Sequence, residues 1–207
     1  MRAGNNAGWS GVYSNVVSVA SLQPPQGTTV SVPGSSNTGS YSVSWNPVPL
    51  ATEYRLEQSA NGGGWGEIQR EGATARNIGG MADGTYAYRV LSCNAAGCSG
   101  YSNVATIVVT LPPPTPQITS NTKFQSARPP IRILCSVWWT AVPRATTYEL
   151  LKDGVVTAYS GPLTNVSSSN QNYCATSHQV RACNAAGCSP WSNPPTPQVL
   201  TIGESDG

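Results

Sequence analysis

An all-β fold of two consecutive β-sandwiches is predicted by three features of this 207-residue sequence. The first is a phrase that recurs at a period of about 90 residues, CNAAGCSGYSN from Cys93 and CNAAGCSPWSN from Cys183. The second is alternation of apolar and polar residues in short segments bounded by Pro and Gly, which is typical of half-buried antiparallel strands. The third is composition: charged residues make up 10% of the chain, against about 25% in average soluble proteins.

The repeat extends well beyond this phrase. YSVSWNPVPLATEYRLEQ at residues 41–58 aligns with CSVWWTAVPRATTYELLK at residues 135–152, so that Trp45 falls on Trp139. In both segments the alternate positions that end at this Trp are apolar and share one strand face. Seven such strands in about 90 residues indicate a two-sheet sandwich.

The order of these motifs resembles the fibronectin type III domain, in the form common in bacterial extracellular proteins. The motifs are a strand with Trp, a Pro, Ala-x-x-Tyr-x-Leu, Gly-Thr-x-Tyr and the NAAG phrase. The resemblance implies tandem fibronectin type III, immunoglobulin-like β-sandwiches. It covers residues 22–111 and 112–202 as full domains and residues 1–21 as the end of a preceding one, and leaves residues 203–207 as a tail.

The resemblance also implies roles for three aromatic residues. Trp45 and Trp139 would be the core anchors of strand B, and Tyr86 would form the corner contact near the start of strand F. The second domain has Thr176 in the place of Tyr86, so the corner contact is expected to be absent there.

Two proline-rich segments lie at the predicted domain boundaries. LQPP at residues 22–25 precedes the first full domain, and LPPPTP at residues 111–116 separates the two. Consecutive prolines favour extended polyproline geometry, so the domains are predicted to sit end to end with limited flexing.

Two cysteines in each of the later copies of the recurring phrase flank the tight hairpin expected between strands F and G. The earlier copy of the phrase, GNNAGWSGVYSN at residues 4–15, has Gly4 and Trp9 in these two places. Joint loss is what a bonded pair predicts, although two buried free thiols and a zinc site are the alternatives. The expected hairpin disulfides are Cys93–Cys98 and Cys183–Cys188.

Cys135 and Cys174 remain. In the topology that the resemblance implies, the starts of strands B and F lie at one pole in opposite sheets, which implies a cross-sheet Cys135–Cys174 bond. Six pairable cysteines indicate an oxidising compartment, secreted or at the cell surface. No signal peptide is visible, so the export signal is expected to lie outside this sequence.

No catalytic constellation is visible, so we expect no enzyme activity, cofactor or metal. The one histidine, His178, occupies the place of Tyr88 on strand F and reads as a covered strand residue. Gly62–Gly64 reads as a hairpin rather than a phosphate loop, because no Lys-Ser/Thr follows. The net charge of +2 without a basic cluster argues against nucleic acid, and no apolar run approaches a membrane span.

Four aromatic residues are candidates for exposure. Tyr101 and Trp191 recur at equivalent positions, which favours packing. Trp65 and Trp138 have no counterpart in the other domain and are the better candidates for binding a polysaccharide or a partner surface. Packing within or between domains is the alternative for both.

The predicted function is structural: a non-catalytic spacer or fibre element of a secreted or cell-surface bacterial protein. Its partners would be other domains of the same protein or like subunits. Residues 1–21 are either the end of a domain cut by the start of the sequence or a source of strand addition, through Val12–Ala20, to another subunit. The alternatives are a carbohydrate- or partner-binding adhesion module and an accessory region of a larger extracellular hydrolase or toxin.

Overall fold

The computed structural model of the chain describes residues 4–5, 7–9, 21–126, 130, 132–169, 177–195 and 198–202. Every regular element in these ranges is a β-strand, which confirms the predicted all-β fold class. Across the same ranges, no helix has the length and apolar character needed to cross a membrane.

The strands fall into three groups along the chain, and we name residues 22–111 module 1 and residues 112–202 module 2. The N-terminal hairpin consists of β1 (Gly4–Asn5) and β2 (Gly8–Trp9). Module 1 contains β3 (Val30–Ser31), β4 (Ser35–Ser36), β5 (Tyr41–Trp45), β6 (Glu53–Ala60), β7 (Gly66–Glu71), β8 (Ala75–Ile78), β9 (Gly84–Asn94), β10 (Gly97–Cys98) and β11 (Ala105–Val109). Module 2 contains β12 (Ile118–Ser126), β13 (Ile133–Trp139), β14 (Thr147–Lys152), β15 (Val155–Gly161), β16 (Asn165–Ser168), β17 (His178–Asn184), β18 (Gly187–Cys188) and β19 (Gln198–Ile202).

Module 1 packs two sheets against each other. One has the order β3-β5-β8, and the other has the order β4-β11-β9-β6-β7 with β10 paired to the end of β9. Pro33 and Gly34 separate β3 from β4. Because proline has no N–H to donate to a β-ladder, the pairing is interrupted there. Before the break β3 pairs with β5 in one sheet, and after it β4 pairs with β11 in the other.

The first strand of module 2 is not divided between two sheets. Its sheets have the orders β16-β13-β12-β19 and β15-β14-β17-β18. The sequence ITSNTKFQS of β12 contains neither Pro nor Gly, so the strand runs unbroken. It pairs antiparallel with β13 on one side and parallel with β19 on the other, and it stays in one sheet.

Each module has its own hydrophobic core, formed by the inward residues of both sheets. Burying a Val, Leu or Phe-sized side chain contributes about 1.5–3 kcal/mol, so these residues are the main stabilising contribution. The core of module 1 is Val30, Val43, Trp45, Tyr54, Leu56, Tyr86, Tyr88, Val90, Ile107 and Val109. The core of module 2 is Val137, Trp139, Tyr148, Leu150, Val180 and Ala182.

The same aromatic pair lies at the centre of each core. The Trp45 ring is 5% exposed and its centroid lies 5.9 Å from that of Tyr54, while the Trp139 and Tyr148 centroids lie 6.0 Å apart. In module 1 the Tyr54 hydroxyl accepts a hydrogen bond from a backbone N–H six residues earlier, and Tyr148 does the same in module 2. The repeat in sequence is therefore a repeat in side-chain geometry.

Tyr86 begins the buried run of β9 and is 6% exposed. Its hydroxyl donates to the carbonyl oxygen of Ala82 at 3.1 Å. This contact ties the chain that enters β9 to the strand itself. Thr176, the equivalent in module 2, lies outside the described residues.

The N-terminal hairpin repeats the register of the later ones. Gly4 pairs with Trp9 and Asn5 with Gly8, as Cys93 pairs with Cys98 and Asn94 with Gly97. Residues 10–20 lie outside the described residues, so strand addition through Val12–Ala20 stays a prediction.

Candidate functional site: the joint between the modules

The recurring NAAG loop binds the linker that enters its own module. In module 1 the Asn94 side-chain amide donates from Nδ2 to the carbonyl oxygens of Gln23 at 2.8 Å and Leu50 at 3.2 Å. Its Oδ1 accepts the backbone N–H of Ala96 at 2.8 Å, the local turn that Asn side chains favour. One side chain therefore shapes the loop and holds the linker.

Module 2 repeats this contact at the linker between the modules. Asn184 donates from Nδ2 to the Leu111 carbonyl at 3.0 Å, and its Oδ1 accepts the N–H of Ala186 at 2.8 Å. The glycine of the loop, Gly187, has φ of 137° and lies against the Pro112 ring, as Gly97 with φ of 138° lies against Pro24. We call each Asn–Gly pair with its linker residues a linker clamp.

Further contacts cross from one module to the other. The Arg144 guanidinium donates from Nη1 to Asp83 Oδ2 at 2.9 Å and from Nη2 to the Pro112 carbonyl at 3.2 Å. Asp83 Oδ1 accepts the N–H of Leu111 at 2.6 Å. The hydrogen bond from Leu111 and the charge of Arg144 hold the pKa of the Asp83 carboxyl below its ordinary value. Arg144 thus contacts module 1 and the linker together.

A second crossing contact lies beside a small cleft. Asn37 of module 1 donates from Nδ2 to the carbonyl of Ala186 in the module 2 loop at 3.2 Å. The cleft has a volume of about 470 Å³ and is lined by small and uncharged residues, Ser35, Ser36, Asn37, Thr110, Ala185 and Ala186. Together with the Asp83–Arg144 pair and the clamp of module 2, this contact forms what we call the intermodule joint.

Three of the six linker prolines are buried. Pro25, Pro113 and Pro116 are buried, while Pro24 and Pro114 are exposed. A buried proline adds fixed backbone geometry to the contacts that hold the linker. The linker at the joint is therefore restrained at both of its ends.

Both expected hairpin disulfides are formed. Cys93 is bonded to Cys98 and Cys183 to Cys188, and in each case the two residues are directly opposed in the strand register. Each bond closes the four-residue loop that carries the clamp. Cys135 is also disulfide-bonded, and its expected partner Cys174 lies outside the described residues.

Trp65 packs against its own module. The Arg89 guanidinium lies between two rings, 4.2 Å from the centroid of Trp65 and 3.7 Å from that of Tyr101. Glu57 pairs with Arg89 at 2.7 Å and accepts the Tyr101 hydroxyl at 3.0 Å. Trp65 remains 36% exposed, but its face is used by an intramodule cation–π stack.

Trp191 makes a similar contact in module 2. The Arg181 guanidinium lies 4.5 Å from the centroid of the Trp191 ring and pairs with Glu149 at 2.6 Å. Intramodule packing thus accounts for Tyr101 and Trp191, the two aromatic residues that recur by position.

Trp138 is placed differently, on the outer face of its sheet. It is 48% exposed, and the register puts Ser120 of β12 and Asn165 of β16 on either side of it. The next rung of the same face carries Ser136, which is hydrogen-bonded to Ser167 at 2.9 Å. The residues that surround Trp138 on this part of the face are polar and uncharged.

His178 is a core residue. It is 1% exposed, and its Nδ1 lies 3.1 Å from Oδ1 of Asn121. Its equivalent in module 1, Tyr88, is fully buried and shares a 2.7 Å hydrogen bond with the hydroxyl of Tyr41. His178 thus replaces a buried aromatic residue within the sandwich.

One group of metal-type ligands occurs among the described residues. The Glu149 carboxylate and the sulfurs of Cys183 and Cys188 lie within 4.8 Å of one another. Thiolates rather than disulfide sulfurs bind zinc, and these sulfurs are joined to each other. In this bonded state the group is part of the hairpin.

The joint residues Asp83, Arg144 and Asn37 were missed by the sequence reasoning. Arg144 aligns with Leu50, and both adopt the left-handed conformation, with φ of 67° and 66°. An exposed turn residue that changes from apolar to charged between otherwise similar modules was the available signal.

No model of a protein family and no curated protein matches the chain. Among solved structures it is similar to the FN1–FN3 domains of chicken CNTN1, with 13% identity over 86% of this chain and 67% of that one and a TM-score of 0.40. An Fn3-like protein from Clostridium thermocellum is 22% identical over 42% of this chain and 91% of that one, with a TM-score of 0.33. The 6th fibronectin type III domain from human fibronectin type III domain containing protein 3 is 27% identical over 44% and 89%, with a TM-score of 0.37.

Proposed function

We propose that the chain is a rigid, non-catalytic spacer or fibre element of a secreted or cell-surface protein, built to hold neighbouring domains at a set distance and orientation. The observation that carries this proposal is the intermodule joint. Asn184 holds the linker, and the Asp83–Arg144 pair bridges the two modules.

The joint restrains orientation because its contacts lie at separate points. Asn37 reaches the loop of module 2, while Arg144 reaches Asp83 from a different turn. Two separated crossing contacts oppose rotation about the linker, and buried Pro113 and Pro116 oppose bending within it.

The non-catalytic part of the proposal is supported by the use of the reactive side chains. His178 is buried against Asn121, and Glu57 and Glu149 are each paired with an arginine on the neighbouring strand. Hydrolytic turnover by this chain would overturn that part.

Backbone ¹⁵N relaxation of the full chain tests the rigid-spacer proposal. The expected result is one rotational correlation time shared by both modules, the value for a single elongated body. Two shorter and different correlation times would show independent tumbling and rule out a rigid spacer.

Self-association by strand addition would extend the element into a fibre. Its test is deletion of residues 1–21 followed by solution mass measurement. A self-association that disappears with the deletion supports strand donation, and an unchanged oligomeric state counts against it.

A carbohydrate-binding function is the second candidate, and the exposed Trp138 favours it. Its ring is exposed beside the uncharged polar residues Ser120 and Asn165, which suits stacking on a sugar with hydrogen bonds at the ring edge. Retention on immobilised neutral polysaccharides would be lost in Trp138→Ala and kept in Trp65→Ala. Equal retention of both variants, or no retention of the parent chain, would dismiss this candidate.

A further inference from the structure

The loop between Cys183 and Cys188 is where module 2 touches the linker and module 1. Asn184 donates to the Leu111 carbonyl, Ala186 accepts from Asn37, and Gly187 lies against Pro112. The Arg144 contacts of the joint come from a different turn of module 2.

The disulfide closes this loop covalently at its base. The strand that returns from it, β18, has two residues, Gly187 and Cys188, which pair with Asn184 and Cys183. Inside the loop the Asn184 Oδ1 accepts the N–H of Ala186. Below the loop the pairing continues, with the Ser189 N–H donating to the Ala182 carbonyl at 2.8 Å and the Thr146 N–H to the Cys183 carbonyl at 2.9 Å. Cys183–Cys188 is the covalent link nearest to Asn184 and Ala186, at the base of the loop that carries them.

The bond is also reachable from solvent. Cys188 is exposed, whereas Cys183 is 7% exposed. The corresponding residue of module 1, Cys98, is only half-buried, and its partner Cys93 is 3% exposed. A thiolate therefore reaches the sulfur of Cys188 more readily than any other sulfur of the two hairpins.

From these contacts we infer that the Cys183–Cys188 disulfide is a redox switch of the intermodule joint: oxidised, it holds the two modules in one orientation, and reduced by a dithiol, it releases them. The inference rests on the proposed rigid-spacer function and assigns a regulation to the same joint. The partner that it implies is a dithiol reductant, a small molecule or a protein with two neighbouring thiols.

The reaction is a two-electron thiol–disulfide exchange. A thiolate of the dithiol bonds to the sulfur of Cys188, the Cys183–Cys188 bond breaks, and the electron pair stays on the Cys183 sulfur, which takes up a proton. The second thiolate of the reductant then attacks the reductant sulfur that is bonded to Cys188 in the mixed disulfide, and Cys188 leaves as a thiolate. The dithiol leaves as a cyclic disulfide.

Module 1 provides a matched control within the same chain. Its loop is closed by Cys93–Cys98 in the same register and has the same clamp asparagine, but Asn94 contacts Gln23 and Leu50, which belong to module 1 itself. Loss of the Cys93–Cys98 bond therefore leaves the contacts between the modules in place.

The experiment compares Cys183→Ser/Cys188→Ser with Cys93→Ser/Cys98→Ser in the full chain, by ¹⁵N relaxation and small-angle scattering. The serine variants isolate one bond from the others, which a reductant would not. The first variant is expected to lose the common correlation time and to broaden the distribution of end-to-end distances, and the second to keep both parent values. Common tumbling in both variants, or its loss in both, would overturn the switch.

Asn184→Ala is the control for misfolding caused by loss of the disulfide, because it leaves the disulfide intact and removes the clamp. It is expected to loosen the joint as the Cys183/Cys188 variant does, and a fully rigid Asn184→Ala joint would contradict the mechanism. If the unmodified oxidised chain already tumbles as two bodies, the spacer function itself fails. If it is rigid and dithiothreitol leaves it rigid after the Cys183–Cys188 bond is reduced, only the switch fails.

Discussion

Arg144 of module 2 and Asp83 of module 1 form an ion pair at 2.9 Å across the intermodule joint. Both side chains are 38% exposed, so the pair is partly screened by water and salt. The contribution of such an exposed pair is small beside the stability of a module, but it adds to the other contacts of the joint.

Arg144→Leu, which copies the residue at the equivalent position of module 1, should loosen the joint without unfolding either module. The ion pair and the bond to the Pro112 carbonyl are lost together. We expect the correlation times of the modules to separate while the free energy of unfolding of each module stays within about 0.5 kcal/mol of the parent, as for most surface changes. Raising the salt concentration should move the parent chain in the same direction, and a salt-independent parent joint would count against this role.

Acid should loosen the same joint. The Leu111 N–H and the Arg144 charge lower the pKa of Asp83 from its ordinary value of 3.8. A carboxyl with a lowered pKa stabilises the closed joint fully above that ordinary value, and the contribution is lost as pH falls through the lowered pKa. Relaxation measurements between pH 6 and pH 3 should show a loosening that Asp83→Asn removes, since the amide oxygen still accepts from Leu111 but cannot titrate. An identical acid response in the variant would assign the loosening to other groups.

Trp45→Ala should destabilise module 1 selectively. Truncating a buried Trp costs about 3–5 kcal/mol, and the Trp45 ring packs on Tyr54 in the centre of that core. Chemical denaturation should then resolve two transitions, with the one for module 2 unchanged. Trp138→Ala, which removes a 48% exposed ring, is the control, and a comparable loss there would contradict the placement of its side chain.

Trp65→Ala should weaken module 1 slightly. The ring covers one face of the Arg89 guanidinium, and an exposed cation–π contact contributes about 0.5–1 kcal/mol. Arg89→Ala should cost more, because the contacts to Tyr101 and Glu57 are lost as well. Urea denaturation measures both differences, and equal stability of Trp65→Ala and the parent would show that the stack contributes nothing.

The strands and hairpin disulfides of this chain could be predicted because their causes are local. In YSVSW, alternation alone puts Val43 and Trp45 inward. Cys183 and Cys188 flank a four-residue loop, so a hairpin places them opposite each other, where a disulfide can form. The repeat then carries each such inference from one module to the other.

The joint could not be predicted, because its causes are not local. Asp83 and Arg144 are 61 residues apart, and their contact depends on how one module sits on the next. The sequence also predicts Trp65 as a candidate for ligand binding, because the residue that packs on its ring is not a sequence neighbour. Arg89, which occupies its face, comes from β9, on the far side of β6.

The different first strands of the two modules have a consequence when the chain is placed under tension. In module 2, β12 and β19 run parallel and are paired from Thr122–Gln198 to Ser126–Ile202, so a pull on the two ends loads five residue pairs at once, in shear. In module 1 only Ser35 and Ser36 pair with the last strand, because the Pro33-Gly34 break has moved the rest of the first strand to the other sheet. Module 1 is therefore expected to yield first and lengthen, while module 2 keeps its extension.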